Sequence, residues 1–543
     1  VTKRSFIMVF IKRQPSRNNR ARSVVIAALL GVCSSPILAH VHDPAEITSA
    51  PVMLGSLSFP TSTHSKPAQA AFEQGMLWLH LFEYDHAADS FREAERLDPD
   101  FAMAYWGEAM THTHAVWNQD DRDAAQAALA KLGATPAARA VKAPTAREKA
   151  YLDAAEKLFG PGALHERDTA FLQAMSSMAK AYPRDDEAQL FHALALLGVT
   201  RGERNIPNYL QAAAIAKRVL SRNPRHPGAA HYWIHGMDDP AHAAGALVPA
   251  RALSKIAPAA GHAQHMVSHI FMALGMWQDV IDANVNAIRV VADERRATQK
   301  PMVYCGHYPS WLMYSYYQVG RVQDAQQELN ACLTSGKAAL AWYREHSDAA
   351  GGDAGLARNK AKTDDSMLYM RAIAVVESAS DRAANGAIPL DTSDVGVSSG
   401  WDDFARGYAA ARDGDFAQAN AFLAALQALA AAKPKTEDGG SPNDVEYLRI
   451  MALMLQGTIA QGNGKSEEAI AFARDAARRY DALPFDFGPP VPLKPPHELV
   501  GELLLQAARP KEALAEFDLS LKLAPNRALS VQGRQRAAAA AAK

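Results

Sequence analysis

The chain has 543 residues, three to four times an ordinary domain, so several domains or one extended array are expected. Its 57 basic and 58 acidic residues leave a formal charge of −1, which gives no electrostatic reason to expect nucleic acid as a partner. Hydrophobic residues at 48% exclude a disordered chain, and three cysteines without a CxxC pair exclude a disulfide scaffold and the common zinc-ribbon and thioredoxin signals.

Residues 1–39 carry seven basic residues (Lys3, Arg4, Lys12, Arg13, Arg17, Arg20, Arg22) and no acidic one. An apolar run, VVIAALLGVC, starts at Val24 and leads to Ser-Ser-Pro-Ile-Leu-Ala ending at Ala39. That layout predicts a signal peptide cut after Ala39, and the run is too short for a lasting transmembrane anchor. The expected product is periplasmic or secreted. Loss of seven positive charges would leave it with 504 residues and a charge of −8. Its new end would expose His40-Val41-His42, where a free amine beside His40 and His42 is a candidate copper chelate. Residues 40–66 otherwise read as a flexible linker.

From there on, the chain is rich in Ala, Leu and Glu, with helical periodicity almost throughout. In AFEQGMLWLHLFEYDHAADSFREAERLDPD, the residues Gly75, Trp78, Ala87, Phe91, Ala94 and Pro99 stand at offsets that resemble positions 8, 11, 20, 24, 27 and 32 of a tetratricopeptide repeat. Pro224 and Pro258 close two units 34 residues apart, and Gly501, Ala513, Phe517 and Pro525 make a clear last unit. The resemblance implies an all-α fold, a right-handed superhelix of helical hairpins in two arrays. The first spans 67–345 and the second 401–543. Between them, 346–400 reads as irregular loops around one short helix, MLYMRAIAVVESA.

Eight of the 19 histidines lie between His226 and His307, and only two follow in the remaining 236 residues. HYWIH and HMVSH each give an i, i+4 pair, which places two imidazoles on one helix face. In the repeat frame His231 and His235 take positions 5 and 9 of one first helix, and His265 and His269 take the same positions 34 residues on. His262 and His307 take position 2 of their units. The resemblance implies that these positions line the concave groove, so six histidines converge there. Packed helices lie about 8–10 Å apart, a gap that imidazoles can bridge to enclose one or two divalent transition-metal ions, with zinc, copper or iron as candidates. Asp238 or Asp239, with His242 nearby, is expected to orient an imidazole from outside. His80 and His114 are also 34 residues apart, and His114 is an accessory candidate.

Cys305 and Cys332 are either a disulfide or a buried free pair. Trp117, Trp277, Trp311 and Tyr314 are candidates for lining a cleft, although core packing accounts for most such residues. GPPVPLKPPHELVGELLL reads as a Pro-rich entry into the last repeat, or a binding lip. No GxGxxG, Walker loop, GxSxG or HExxH is present.

The segments AMAYWGEAM, HYWIHGMDDP, HAQHMVSHIF and KPPHELVGELLL together are similar to a bacterial group of exported repeat proteins. That likeness implies fold and histidine positions and supplies no reaction. Ser310 departs from it where an acidic residue is expected after His307. The expected function is therefore a metal-binding helical-repeat protein with a protein or small-molecule ligand in the same groove. A metal-dependent oxidoreductase or hydrolase and a metal-free interaction scaffold are the alternatives.

Overall fold

A hairpin opens the array: Lys66–His80 and Tyr84–Leu97 pack against each other, with Ser65 capping the first helix through the Ala68 amide. Phe91 fills the space between helices because Gly75 and Gly107 leave it room. A Cβ at either glycine would lie 2.6 or 2.5 Å from its ring. The same arrangement recurs at the far end, where Phe517 packs between Gly501 and Gly533 with sixteen residues on each side in both cases. These contacts are the physical content of the repeat signature.

The computed structural model describes residues 53–117, 119–200, 204–391, 395, 399–432 and 443–543. Among them are twenty-five α-helices and one two-residue strand pair, Thr113–His114 with Gln119–Asp120. Consecutive helices pack pairwise along the chain, so the fold is all-α and built of tandem helical hairpins. The expected signal segment and the His40 and His42 copper candidates lie outside the described residues. No described helix is long and apolar enough to cross a membrane.

Two expectations need correction. The linker assigned to 40–66 is not flexible over its described part. Leu54 and Phe59 are fully buried, and the Ser56 amide donates to the Arg225 carbonyl at 3.0 Å. Phe59 packs with the first helices, against Phe72 and Trp106, and Leu54 joins the core of the later ones. The insertion assigned to 346–400 is largely helix: Gly352–Glu377 runs 26 residues, followed by Arg382–Gly386. Its N-terminal half shows no apolar stripe, so periodicity gives no helix signal. Ala, Leu, Lys and Arg nonetheless favour helix, and the buried half from Met367 to Val376 extends into it cooperatively. This helix packs on both Val322–Glu345 and Ser399–Arg412, so one hydrophobic core continues across the expected break.

The last repeat docks on the middle of the chain. The Trp277 indole N–H donates to the Asn526 carbonyl at 2.9 Å, and the Ala528 amide donates to Gln318 at 3.0 Å. Arg527, wholly buried, donates to Glu498 at 2.8 Å, Glu377 at 2.7 Å and the Tyr314 hydroxyl at 2.9 Å. Lys494, in the Pro-rich entry to the last repeat, is buried and bonded to Glu498 and Glu502.

Candidate metal centre

Three helices carry the six histidines. Pro227–His235 starts where His226 accepts the Ala229 amide and Pro227 occupies the first turn. Gly228 permits its approach to the first hairpin, since a Cβ there would lie 2.5 Å from His80 Nδ1. Gly261–Ala273 is held at its start by Glu83, which accepts the His262 amide at 2.8 Å. His307–Gln318 follows Gly306, whose φ of +105° favours glycine. The first two helices are buried on every face, as expected of core helices without a solvent side.

The rings form two adjoining triads, His231/His235/His262 and His265/His269/His307. Within each, one ligand atom per residue lies within 4.8 Å of the others. Ring centroids in the first triad are 4.8 Å apart for His231–His235 and 5.1 Å for His231–His262. In the second they are 5.1 Å for His265–His269 and 4.5 Å for His265–His307. His235–His269 at 5.7 Å and His262–His265 at 6.3 Å join the two.

Hydrogen-bond partners assign the ring protons. His231 Nδ1 donates to the His80 carbonyl at 2.7 Å. His265 Nδ1 donates to Asn284 Oδ1 at 2.7 Å, an assignment fixed because the Asn284 amide nitrogen donates to the Val280 carbonyl. His269 Nδ1 donates to Asp238 Oδ2 at 3.0 Å. Each Nε2 is then left as a lone pair. The Nε2 atoms of His231, His235 and His262 are buried with no hydrogen-bond partner in the protein. Those of His265 and His269 face each other at 3.2 Å. Two lone pairs at that separation repel unless a cation lies against both.

Burial, reinforced by neighbouring rings, pushes the pKa of His231, His262 and His265 well below the ordinary value. Burial also lowers that of His269 despite the Asp238 carboxylate. His307 is pushed down to about 3, again chiefly by desolvation, although its side chain is exposed. The two observations agree for a ring lining a concave opening, reached by water yet surrounded by protein. These five rings are neutral at pH 7, the form that binds metal.

Outside the rings, Asp238 accepts from His269 and lies 3.5 Å from His235 Nδ1, while its other oxygen pairs with Arg204. Burial would raise its pKa, but Arg204 and the two histidines hold it far below the carboxylate range. Asp239 takes the second arm of Arg204 at 3.1 Å and fixes His242 at 2.8 Å, away from the triads. Of the two aspartates, only Asp238 reaches the cluster. His114 also stays out. Its nitrogens contact Gln119 Oε1 and the Thr111 carbonyl, and its ring stacks on Tyr84 at 3.7 Å. Ser310 bonds back to the His307 carbonyl at 2.9 Å, a local helix contact.

The expected open groove is covered. Five of the six rings are buried, and His307 alone is exposed. Phe82 packs on His231 at 4.5 Å with a left-handed φ of 58°. The corresponding turns use glycine at Gly275, Gly320, Gly414 and Gly464 and alanine at Ala508, and the left-handed conformation costs a non-glycine residue such as Phe82 about 1–3 kcal/mol. Trp117 reaches His262 at 5.4 Å, and Trp311 packs on His269 at 4.7 Å. From the C-terminal part, Phe487, just before the Pro-rich segment, covers His269 at 4.8 Å. A narrow cleft adjoins Asp238 and His269, with Trp277, Asp486 and His497 among its walls. Burial, with Asp444 nearby, pushes the Asp486 carboxyl up to about 6.

Sequence reading missed a third cluster. Glu187 accepts from His80 at 2.6 Å and from His226 at 3.0 Å, and His80 Nδ1 meets the Tyr232 hydroxyl at 2.9 Å. Burial lowers the His80 pKa despite the carboxylate, so its contact is a hydrogen bond from a neutral ring to ionised Glu187. The network is saturated, and it holds the turn whose His80 carbonyl fixes His231. Asn284 and Arg204 were missed as well. Neither stands at a recognisable spacing from the histidines. Cys305 and Cys332 form a disulfide with a Cα separation of 4.5 Å.

No protein-family model and no curated protein matches the chain. Among solved structures it is similar to a human IFIT1 dimer with m7Gppp-AAAA, at 14% identity over 89% of this chain and 92% of that one, with a TM-score of 0.33. The APC/C hetero-tetramer Cut9-Hcn1 matches at 13% identity, 88% and 78% coverage and a TM-score of 0.34. Yeast Tom70 matches at 11%, 86% and 87%, with a TM-score of 0.28. At these values the fold rests on the helical hairpins themselves: the chain is an all-α, tetratricopeptide-like helical-repeat protein.

Proposed function

We propose that this is an exported helical-repeat protein whose covered groove holds a pair of transition-metal ions, each against three imidazoles. The carrying observation is the set of committed ring protons. Three buried Nε2 atoms have no protein partner and two more face each other at 3.2 Å. Six nitrogen donors suit zinc, copper or iron and suit neither calcium nor magnesium. Asp238, Asn284 and the His80 carbonyl act as the outer acceptors that orient metal-binding imidazoles. The Cys305–Cys332 disulfide supports an oxidising compartment, consistent with export to the periplasm or beyond.

Three ligands per ion leave a coordination position for a small ligand, whose entry is by His307 or by the cleft beside His269. A metal-free interaction scaffold is the competing reading. Metal analysis of untagged protein purified without chelator decides between them. Two metal ions per chain are expected, with loss of binding in His231→Ala plus His265→Ala. Protein that holds no metal, and gains no thermal stability from added zinc, copper or iron, overturns the proposal.

A further inference from the structure

The donor set carries information about charge as well as geometry. The six ligands of the two triads are all imidazoles. The carboxylate nearest them, Asp238, sits on the Nδ1 side of His235 and His269 and is already paired with Arg204. Two divalent ions would bring four positive charges into this buried pocket without an anionic ligand, a heavily penalised state. Two monovalent ions bring half that charge. An ion that is stable as +1 among imidazoles and can reach +2 is copper. The two extra charges created on oxidation need a dianion at the same place. Two adjoining triads, each short of a full ligand set, can supply a bridging position for one. The centre is open to solvent at His307, whereas the approach beside His269 is narrow, walled by Trp277, Tyr314 and Tyr480 with Phe487 over the ring. Such an approach favours a diatomic molecule over a bulky one.

Building on the metal-pair reading, we propose that the two triads hold a pair of cuprous ions that bind dioxygen between them. Each copper gives up one electron, and dioxygen accepts both as a bound peroxide dianion. No proton moves and no oxygen–oxygen bond breaks. The pair thus passes from two Cu(I) plus O2 to two Cu(II) plus peroxide, with total charge conserved. Release of O2 reverses the step.

The test uses the full chain freed of metal and loaded with Cu(I) under anaerobic conditions. Expected are two coppers per chain and, on admission of air, uptake of one O2 per two coppers. A new charge-transfer absorption band should accompany a cupric pair that stays silent in electron paramagnetic resonance. The same protein loaded with two zinc ions should take up no oxygen. His307→Ala, at the exposed edge of the second triad, should bind one copper and take up none, with its fold checked by circular dichroism. Should that variant not fold, the copper-to-oxygen ratio of the native chain decides alone. Two coppers without stoichiometric oxygen uptake, or two magnetically isolated Cu(II) ions, overturn the dioxygen proposal and leave the metal pair standing. Binding of zinc but not of Cu(I) overturns it likewise. Failure to bind either metal overturns the metal pair itself.

Discussion

His265 and His269 point their Nε2 atoms at each other across 3.2 Å, while their Nδ1 protons are committed to Asn284 and Asp238. Neither ring can donate to the other without being protonated, and burial opposes protonation of both. The contact is one that a metal relieves.

Asn284 therefore sets which nitrogen of His265 faces the centre. Replacing it in Asn284→Leu removes the acceptor and frees the ring to change tautomer. Metal affinity, measured by competition with a chelator of known strength, is expected to fall about 10–100-fold with stoichiometry retained. Unchanged affinity would show that Asn284 does not tune this ligand.

Asp238 joins two rings to Arg204, all of them buried. Asp238→Ala strands the guanidinium and deprives His269 of its acceptor. Loss of one partner from a buried pair costs about 3–5 kcal/mol. Urea unfolding of the metal-free protein reads that loss, and a change below about 1 kcal/mol would mean that Asp239 alone satisfies Arg204.

His497, in the wall of the cleft beside His269, provides a pH signature of its own. Burial lowers its pKa, but hydrogen bonds to Glu516 and Asp481 and their charges outweigh that, and the net direction is upward. A folded pKa above the unfolded value of about 6.5 means that its stabilisation is complete below that pH. The contribution is then lost as pH rises through the folded pKa. The stability difference between native protein and His497→Gln, followed by urea midpoints from mildly acidic to alkaline pH, should shrink as pH increases. A difference that grows with pH contradicts the assignment.

Packing at the repeat signature is equally open to test. Gly75→Ala drives a methyl to 2.6 Å from the Phe91 ring, and overpacking of this kind costs about 1–3 kcal/mol. Adding Phe91→Leu should return part of that loss. Independent, additive effects in the double variant would show that the two positions do not share the space.

Removing the Cys305–Cys332 bridge in a double alanine variant opens a loop with a sequence separation of 27. Loop-closure entropy sets the expected loss at about 3.5 kcal/mol. The thermal midpoint with and without reductant checks it, and the variant should be insensitive to reductant.

The hairpin fold was legible because small residues and Phe91 or Phe517 recur in one frame, and the two i, i+4 histidine pairs marked a shared face. Of the helix over 352–377, the second half was legible as MLYMRAIAVVE, and the first half was not because it is solvated and has no apolar stripe. The outer partners were hidden for another reason: Glu187 and Arg204 reach the histidine helices only through packing of separate elements, and Asn284, on the helix paired with that of His265, stands at no recognisable spacing from it. Covering of the groove was hidden too, since Phe487 meets His269 across more than two hundred residues of chain.

Arg527 has a consequence for the order of events in the cell. Its clasp to Glu377 and Tyr314 ties the final repeat to the middle of the array, with Phe487 brought over His269 nearby. An open solenoid can mature repeat by repeat as it emerges, whereas this one gains its cover only once almost the whole polypeptide has arrived. Until then His269 lacks its cover, and afterwards the approaches left to the centre are exposed His307 and the cleft beside His269.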